Sequence, residues 1–122
     1  MTDSLEFAHE SAVTLHTTTV FCPKKDNTSC GTNWQNGQLI LDVHNQRVLR
    51  ILPAIPAGYA LDWRSTLGDS ADLRFRSDGF TRGQQGSFFI CNQKNAAFSA
   101  KMVILRTGRV RVVTGNIAEC DA

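Results

Sequence analysis

Residues 101–113, KMVILRTGRVRVV, contain two apolar runs on either side of the short segment Thr107-Gly108. Both runs are rich in β-branched residues, which favour strands, and Thr107-Gly108 is short enough for a hairpin turn. The stretch therefore predicts two antiparallel strands, 101–106 and 109–113, joined by a two-residue loop. A loop of this length fixes the register, so that Arg106 faces Arg109 across the hairpin.

Strand alternation divides the hairpin side chains between two faces. The predicted core face consists of Val103, Leu105, Val110 and Val112. The predicted outer face consists of Arg106, Arg109 and Arg111, with Ile104 and Met102 beyond them. Like charges that face one another across two strands are destabilising, so three guanidinium groups at one tip suggest an anionic partner. A solvated hairpin with splayed arginines is the alternative that these residues leave open.

The charges of the chain are divided unevenly along its length. Residues 1–72 carry five basic and eight acidic side chains, a balance of −3, and residues 73–122 carry eight basic and three acidic ones, a balance of +5. Together they give the net charge of +2, and nine of the thirteen basic residues are arginines. Arginine binds phosphate in a bidentate manner better than lysine does. The C-terminal part is therefore where we expect a polyanion to bind.

The rest of the sequence predicts one helix followed by further strands. Apolar residues at helical spacing predict a helix over about residues 3–17. Its apolar face consists of Leu5, Ala8, Ala12 and Leu15. The β-rich region covers about residues 18–122, with additional short strands near 20–22, 38–43, 47–52, 60–64, 72–76 and 87–91. This order indicates an α+β fold in which an N-terminal helix packs on antiparallel sheet, and we expect a single domain over residues 1–122.

Four cysteines, Cys22, Cys30, Cys91 and Cys120, allow three disulfide pairings. A Cys22–Cys30 bridge would close a short loop, and a Cys91–Cys120 bridge would pin the end of the chain to an interior strand. The loop-entropy relation gives these two bridges about 2.6 and about 3.6 kcal/mol of stabilisation. Disulfides indicate an oxidising compartment, hence the periplasm or the cell exterior. Four free thiols are the alternative.

The sequence lacks the signatures of common catalytic and cofactor sites. It contains no Gly-x-Ser-x-Gly nucleophile motif, and the glycines at 79, 83 and 86 are not followed by the Lys-Ser/Thr of a phosphate-binding loop. No two cysteines have the spacing of a zinc site, and His9, His16 and His44 have no matching partners nearby in the sequence. We therefore expect no enzyme activity, no metal ion and no cofactor.

A series of motifs along nearly the whole chain occurs in the order seen in one family. They are the helix with Ala8 and Ala12, then VFCP at 20–23, WQNG at 34–37, LRFRSDG at 73–79, FFICN at 88–92 and TGRVRV at 107–112. In this order and spacing the chain resembles the GspH/FimT group of minor type IV pilins and pseudopilins. The two cysteine pairs look more like the type IV pilin members than the type II secretion pseudopilins.

The resemblance implies a long N-terminal helix whose second half packs on a β-sheet domain. The first half of such a helix anchors the protein in the inner membrane before assembly. The chain is similar to the family from the second half of the helix onward, so we expect a soluble, monomeric periplasmic domain without that anchor. The implied location is the periplasm and the cell-surface pilus, with other minor and major pilins as partners.

FimT-like members of naturally competent bacteria carry a C-terminal Gly-Arg-x-Arg motif that is associated with DNA binding. The matching residues here are Gly108, Arg109, Val110 and Arg111. The resemblance therefore implies non-specific binding to double-stranded DNA during uptake in natural transformation. The expected contacts are Arg109, Arg111, Arg106, Lys101 and Lys94, and Arg74, Arg76 and Arg82 extend this surface if their strand lies nearby. The alternative is a structural minor pilin or secretion pseudopilin that primes assembly without binding DNA.

Overall fold

A computed structural model describes residues 1–65, 72–81 and 85–120 of the chain. Within these ranges it contains one α-helix followed by eight strands, which confirms the predicted α+β class. The elements are α1 (Thr2–Thr14), β1 (Thr19–Pro23), β2 (Gln38–Asp42), β3 (Arg47–Leu52), β4 (Tyr59–Ser65), β5 (Leu73–Phe75), β6 (Gly86–Asn92), β7 (Ser99–Ile104) and β8 (Val110–Gly115). No helix in the described ranges is both long enough and apolar enough to cross a membrane.

Helix α1 ends three residues before the predicted boundary. The N–H of Thr17 donates to the carbonyl of Ala12 at 3.0 Å, and the N–H of His16 donates to that of Val13 at 3.3 Å. These two bonds form a Schellman motif, in which His16, with φ of 52°, takes the left-handed position that glycine usually occupies. The chain therefore turns away before Leu15 reaches the core, and Leu15 is 41% exposed.

The strands form two four-stranded antiparallel sheets. The strand order is β3-β2-β1-β5 in the first sheet and β4-β6-β7-β8 in the second. Strand β1 lies between β2 and β5 and is buried along its whole length. In the second sheet β4 and β8 are the two edge strands, so the β7–β8 hairpin lies at one side of the molecule.

A hydrophobic core joins α1 to both sheets. The ring centroid of Phe88 on β6 lies 4.5 Å from that of Trp63, 5.1 Å from that of Trp34 and 5.4 Å from that of Phe21. Phe21 belongs to the first sheet and Phe88 to the second, so this aromatic cluster holds the two sheets together. The other buried members of the core are Leu5, Ala8, Ala12, Ile40, Leu61, Leu73, Phe75, Met102 and Ile104.

The β7–β8 hairpin has a different register from the predicted one. The N–H of Leu105 donates to the carbonyl of Arg109, and the N–H of Gly108 donates to that of Leu105, both at 2.9 Å. The loop therefore contains three residues, 106–108, and Gly108 has a left-handed φ of 89°. This is a type I turn followed by a glycine bulge. The predicted two-residue loop, with Arg106 facing Arg109, was wrong.

The one-residue shift exchanges the two faces of β7. Met102 and Ile104 face the core, with 2% and 0% exposure, and the predicted core residues Val103 and Leu105 lie on the outer face. Strand β8 keeps its predicted orientation at Val110, which packs against the core. The predicted core residue Val112 is 44% exposed, since β8 is an edge strand of the second sheet. Arg111 on β8 and Arg109 just before it therefore remain on the outer face.

Two disulfides form the Cys22–Cys30 and Cys91–Cys120 pairs. The first closes the loop that follows β1. The second ties the short 3-10 turn Ala118–Cys120 to β6. Ile117, just before this turn, is only 4% exposed. The end of the described chain is thus held against the outer face of the second sheet.

Asp42, at the end of β2, is a fully buried carboxylate that links three segments. It accepts hydrogen bonds of 2.7 Å from the Thr17 hydroxyl and of 2.7 Å from the Asn45 side-chain amide, and Arg47 lies 3.6 Å away. Burial alone would raise the pKa of Asp42, but the bonds from Asn45 and Thr17 and the Arg47 charge outweigh it. They hold the pKa below its usual 3.8.

We expect Asp42→Asn to cost about 1–3 kcal/mol of stability at neutral pH, because its amide group would face the donors that now bind the carboxylate. Since the pKa of Asp42 is lower in the folded state, the stabilisation is present above the unfolded-state pKa and is lost as the pH falls through the folded-state value.

Urea unfolding between about pH 7 and about pH 2 tests this expectation. The difference between wild type and variant should shrink at the acid end. Asp62→Asn, at a side chain that is 56% exposed, serves as the control and should leave stability nearly unchanged. A difference for Asp42→Asn that is the same at every pH would contradict the assignment.

Candidate nucleic-acid interface

Arg106, Arg109 and Arg111 are gathered on the β7–β8 hairpin, and all three are exposed. Arg106 lies in the loop. The backbone carbonyl of Arg109 accepts a hydrogen bond from the N–H of Leu105, and Arg111 faces Val103 across the strand pair. Residues two apart in a strand share a face. Arg109 and Arg111 therefore project together from the outer face of the second sheet, and Arg106 projects from the adjoining turn.

These three arginines have no acidic partner among the described residues, whereas four of the five other described arginines do. The four ion pairs of the other arginines are Arg47–Asp42 at 3.6 Å, Arg64–Asp62 at 3.0 Å, Arg74–Asp72 at 3.3 Å and Arg76–Asp78 at 2.6 Å. Arg50 lies over the ring of Phe7, 3.9 Å from its centroid. No carboxylate of the described residues lies within 4.0 Å of the three hairpin guanidinium groups. Their charge is not compensated within that part of the chain.

The sequence contains a signal for this difference. Three of the ion pairs join residues two positions apart, namely Asp62 with Arg64, Asp72 with Arg74 and Arg76 with Asp78. A strand places such residues on one face, as it does for Asp62 and Arg64 on β4. The positions two residues from Arg109 and Arg111 hold threonine, arginine and valine, and no acid. An acid two positions away in the sequence therefore indicates an arginine that is paired within the chain, and the two arginines of the motif lack one.

The hairpin tip is held in place by the turn that follows β5. The N–H of Thr81 donates to the carbonyl of Arg106 at 2.9 Å. Gly108 lies so close to this turn that a Cβ there would overlap the carbonyl oxygen of Gly79 and the ring of His9. This contact has no signal in the local sequence, because the three residues belong to segments that are distant along the chain. It fixes the arginine loop relative to α1.

Lys101 lies on the same outer face, but its charge is compensated. Its Nζ donates to a carboxylate oxygen of Glu119 at 3.1 Å and lies 5.4 Å from the ring centroid of Phe89. The hydrogen bond from Lys101 lowers the pKa of Glu119 and outweighs the opposing effect of burial. The structure thus brings Lys101 near the arginines and gives it a partner of its own.

The other predicted contacts are Lys94, Arg74, Arg76 and Arg82. Lys94 is exposed in the loop between β6 and β7, at the opposite end of β7 from the arginines. Six residues of strand separate these ends, about 20 Å. Arg76 lies in the turn that holds the tip and Arg74 on β5, each paired with an aspartate. Arg82 lies outside the described residues.

In the described part of the chain, no group of three or more His, Cys, Asp or Glu side chains is arranged to hold a metal ion.

Residues 1–108 match the family model described as type II transport protein GspH. The match covers most of the chain, so the protein belongs to the GspH family of minor pilins and pseudopilins. The match ends at Gly108, immediately before Arg109 and Arg111. No curated protein sequence matches this chain significantly.

The fold is similar to that of a solved minor pilin. One crystal structure of the type IV minor pilin FimU of Pseudomonas aeruginosa has a TM-score of 0.69 and 17% identity, over 92% of this chain and 86% of that one. A second crystal form of FimU has a TM-score of 0.72 and 18% identity, over 92% of this chain and 81% of that one. The pilin-like fold predicted from the sequence is confirmed.

We expect Gly108→Ala to displace the hairpin tip, because the added Cβ would overlap Gly79 and His9 and because φ of 89° is unfavourable for alanine. Gly58→Ala is a matched control, since Gly58 has φ of 90° but no atom within 4 Å of the added Cβ.

Thermal unfolding should show a loss of about 1–2 kcal/mol for Gly58→Ala from backbone strain alone. Gly108→Ala should lose about 1–3 kcal/mol more from the overlap. Equal losses would mean that the left-handed backbone, and not the close approach to Gly79, requires glycine at 108.

Proposed function

We propose that this minor pilin binds double-stranded DNA without sequence preference, and that this binding serves DNA uptake in natural transformation. The observation that carries the proposal is the group Arg106, Arg109 and Arg111, exposed together on one hairpin and without a carboxylate partner in the described chain. Their mutual repulsion costs stability, and an anionic ligand offsets that cost.

Phosphate oxygens suit this hairpin for a physical reason. Each guanidinium group presents a planar set of donors that matches two phosphate oxygens, and charge-assisted bonds of this kind are strong. Contacts to phosphate position a protein on DNA but carry no sequence information. The helix α1 packs on both sheets through its apolar face, so the hairpin and not the helix is the element offered to DNA.

We propose that Lys101 and Lys94 also contact DNA phosphates and contribute less to affinity than the three arginines do. Lys101 contributes when phosphate replaces Glu119 as its partner, and Lys94 contributes when DNA extends along β7. We also propose that the isolated domain is a monomer, and that the full-length protein is anchored in the inner membrane before it joins other pilins in a periplasmic and cell-surface pilus. No catalytic step and no cofactor is part of this function.

We expect titration with two unrelated short DNA duplexes to give similar dissociation constants, on the order of micromolar or weaker at physiological salt. Three phosphate contacts give a slope of about −2.7 for log K against log salt, at about −0.9 for each contact. The double variant Arg109→Ala/Arg111→Ala should bind about 60-fold more weakly at about 0.1 M salt, because two such contacts are lost.

If neither the wild type nor the double variant binds the duplexes at high protein concentration, DNA binding is refuted. A strong preference for one of the two duplexes would refute the phosphate mechanism. Lys25→Gln, at an exposed side chain in the loop closed by Cys22–Cys30, serves as a folded control that should bind nearly like wild type.

A second candidate function is assembly of the pilus without DNA contact, which the FimU-like fold favours. In that case the arginines meet acidic groups of neighbouring pilins. Charge reversal by Arg109→Glu separates the two functions in cells. Loss of transformation with normal fibres supports DNA binding, and loss of the fibres themselves supports the assembly function.

A further inference from the structure

The outer face of the second sheet carries a row of residues that runs from the hairpin to the far edge. Arg111 on β8 pairs with Val103, Val103 pairs with Ser87, and Ser87 pairs with Arg64 on β4. Neighbouring strands lie about 4.8 Å apart, so three spacings place the ends of this row about 14 Å apart. We call these four residues the cross-sheet row. It holds an arginine at each end and no acid.

The side chain of Arg64 extends over this face and not away from the sheet edge. Its Cζ lies 5.0 Å from the ring centroid of Phe89, which belongs to the neighbouring strand β6. Phe89 is only 4% exposed although it lies on the outer face, since Arg64 and Lys101 both lie against its ring. Arg64 itself remains 57% exposed, so an anion can reach it.

Arg64 has a partner, but a weak one that leaves donors for a second contact. Asp62 accepts a hydrogen bond from Nε of Arg64 at 3.0 Å and is itself 56% exposed. In the described contacts this bond uses Nε alone. Exposed ion pairs contribute little to stability, so a phosphate group competes with Asp62 at low cost.

We propose that the cross-sheet row continues the DNA-binding surface and that Arg64 is a fourth phosphate contact. This inference rests on the proposed DNA-binding function of the hairpin. Successive phosphates of one DNA strand are several ångströms apart along the backbone, so the two ends of the row, about 14 Å apart, would contact different phosphates of that strand. A DNA backbone laid along the row meets Arg111 at one end and Arg64 at the other. The short side chains of Ser87 and Val103 let it approach the sheet between them.

The position of the C-terminal turn supports this path. Glu119 lies on the outer face beside Lys101, one row further from the hairpin tip. The hydrogen bond from Lys101 and, to a smaller extent, the charge of Arg64 lower the pKa of Glu119. A DNA strand is therefore guided along the cross-sheet row, between the hairpin tip on one side and the acid of the C-terminal turn on the other.

The test compares duplex binding of wild type, Arg64→Gln, Arg64→Lys and Asp62→Asn, with Lys25→Gln as a control. Lys25 is exposed in the loop closed by Cys22–Cys30, next to the first sheet, and its substitution changes the net charge by the same amount as Arg64→Gln. Thermal unfolding of each variant confirms that it is folded.

We expect Arg64→Gln to weaken binding about eightfold at about 0.1 M salt and to reduce the salt slope by about 0.9, as loss of one phosphate contact requires. Arg64→Lys should keep the slope of wild type. Asp62→Asn should tighten binding by roughly two- to fivefold, because it removes the competing acid.

If Arg64→Gln binds as tightly as Lys25→Gln and keeps the wild-type slope of log K against log salt, this inference is overturned. If Arg109→Ala/Arg111→Ala still loses binding in the same series, the hairpin function stands and only the extension along the row fails. If wild type does not bind the duplex at all, the proposed function fails and the extension fails with it.

Discussion

The contact of Phe88 with Trp63, Trp34 and Phe21 is the interaction on which the rest of the structure depends. No described strand of one sheet pairs with a strand of the other, so their relative position is set by side-chain packing, with α1 against both. The small residues Ala8 and Ala12 let the helix approach closely, and they are fully buried. Because the sheets are fixed in this way, a hairpin rooted in the second sheet reaches the turn after β5 of the first. That turn then holds the hairpin tip.

Compensation of charge separates the candidate site from the rest of the surface. Most described arginines outside the hairpin are neutralised by an acid two residues away, and Arg47 is neutralised by the buried Asp42. The hairpin arginines have no such neighbour, and their loop is held in place by the turn after β5, which Gly108 approaches closely. The site thus combines an uncompensated charge with a fixed position, which is the combination that binding a polyanion at low entropic cost requires.

Much of the fold follows from local patterns in the sequence. The helix and the β-rich order were predicted, because apolar spacing acts locally. Two disulfides were expected, and the structure selects Cys22–Cys30 and Cys91–Cys120 among the three possible pairings. The hairpin register was predicted wrongly, since Thr107-Gly108 fits a two-residue loop as well as the end of a three-residue loop with a glycine bulge. Nothing in the local sequence distinguishes the two, and the burial of Ile104 in the tertiary core selects the second. The contact of Gly108 with His9 also depends on the tertiary structure, and no local sequence pattern indicates it.

The most direct measurement is an NMR titration of the labelled domain with a short DNA duplex, which follows every backbone amide at low and at high salt. The account predicts that the largest shift changes fall on residues 105–111 of the hairpin and that they fade as salt rises. Shift changes concentrated on α1 and the first sheet, with an unchanged hairpin, would contradict the assignment of the arginines as the DNA-binding surface.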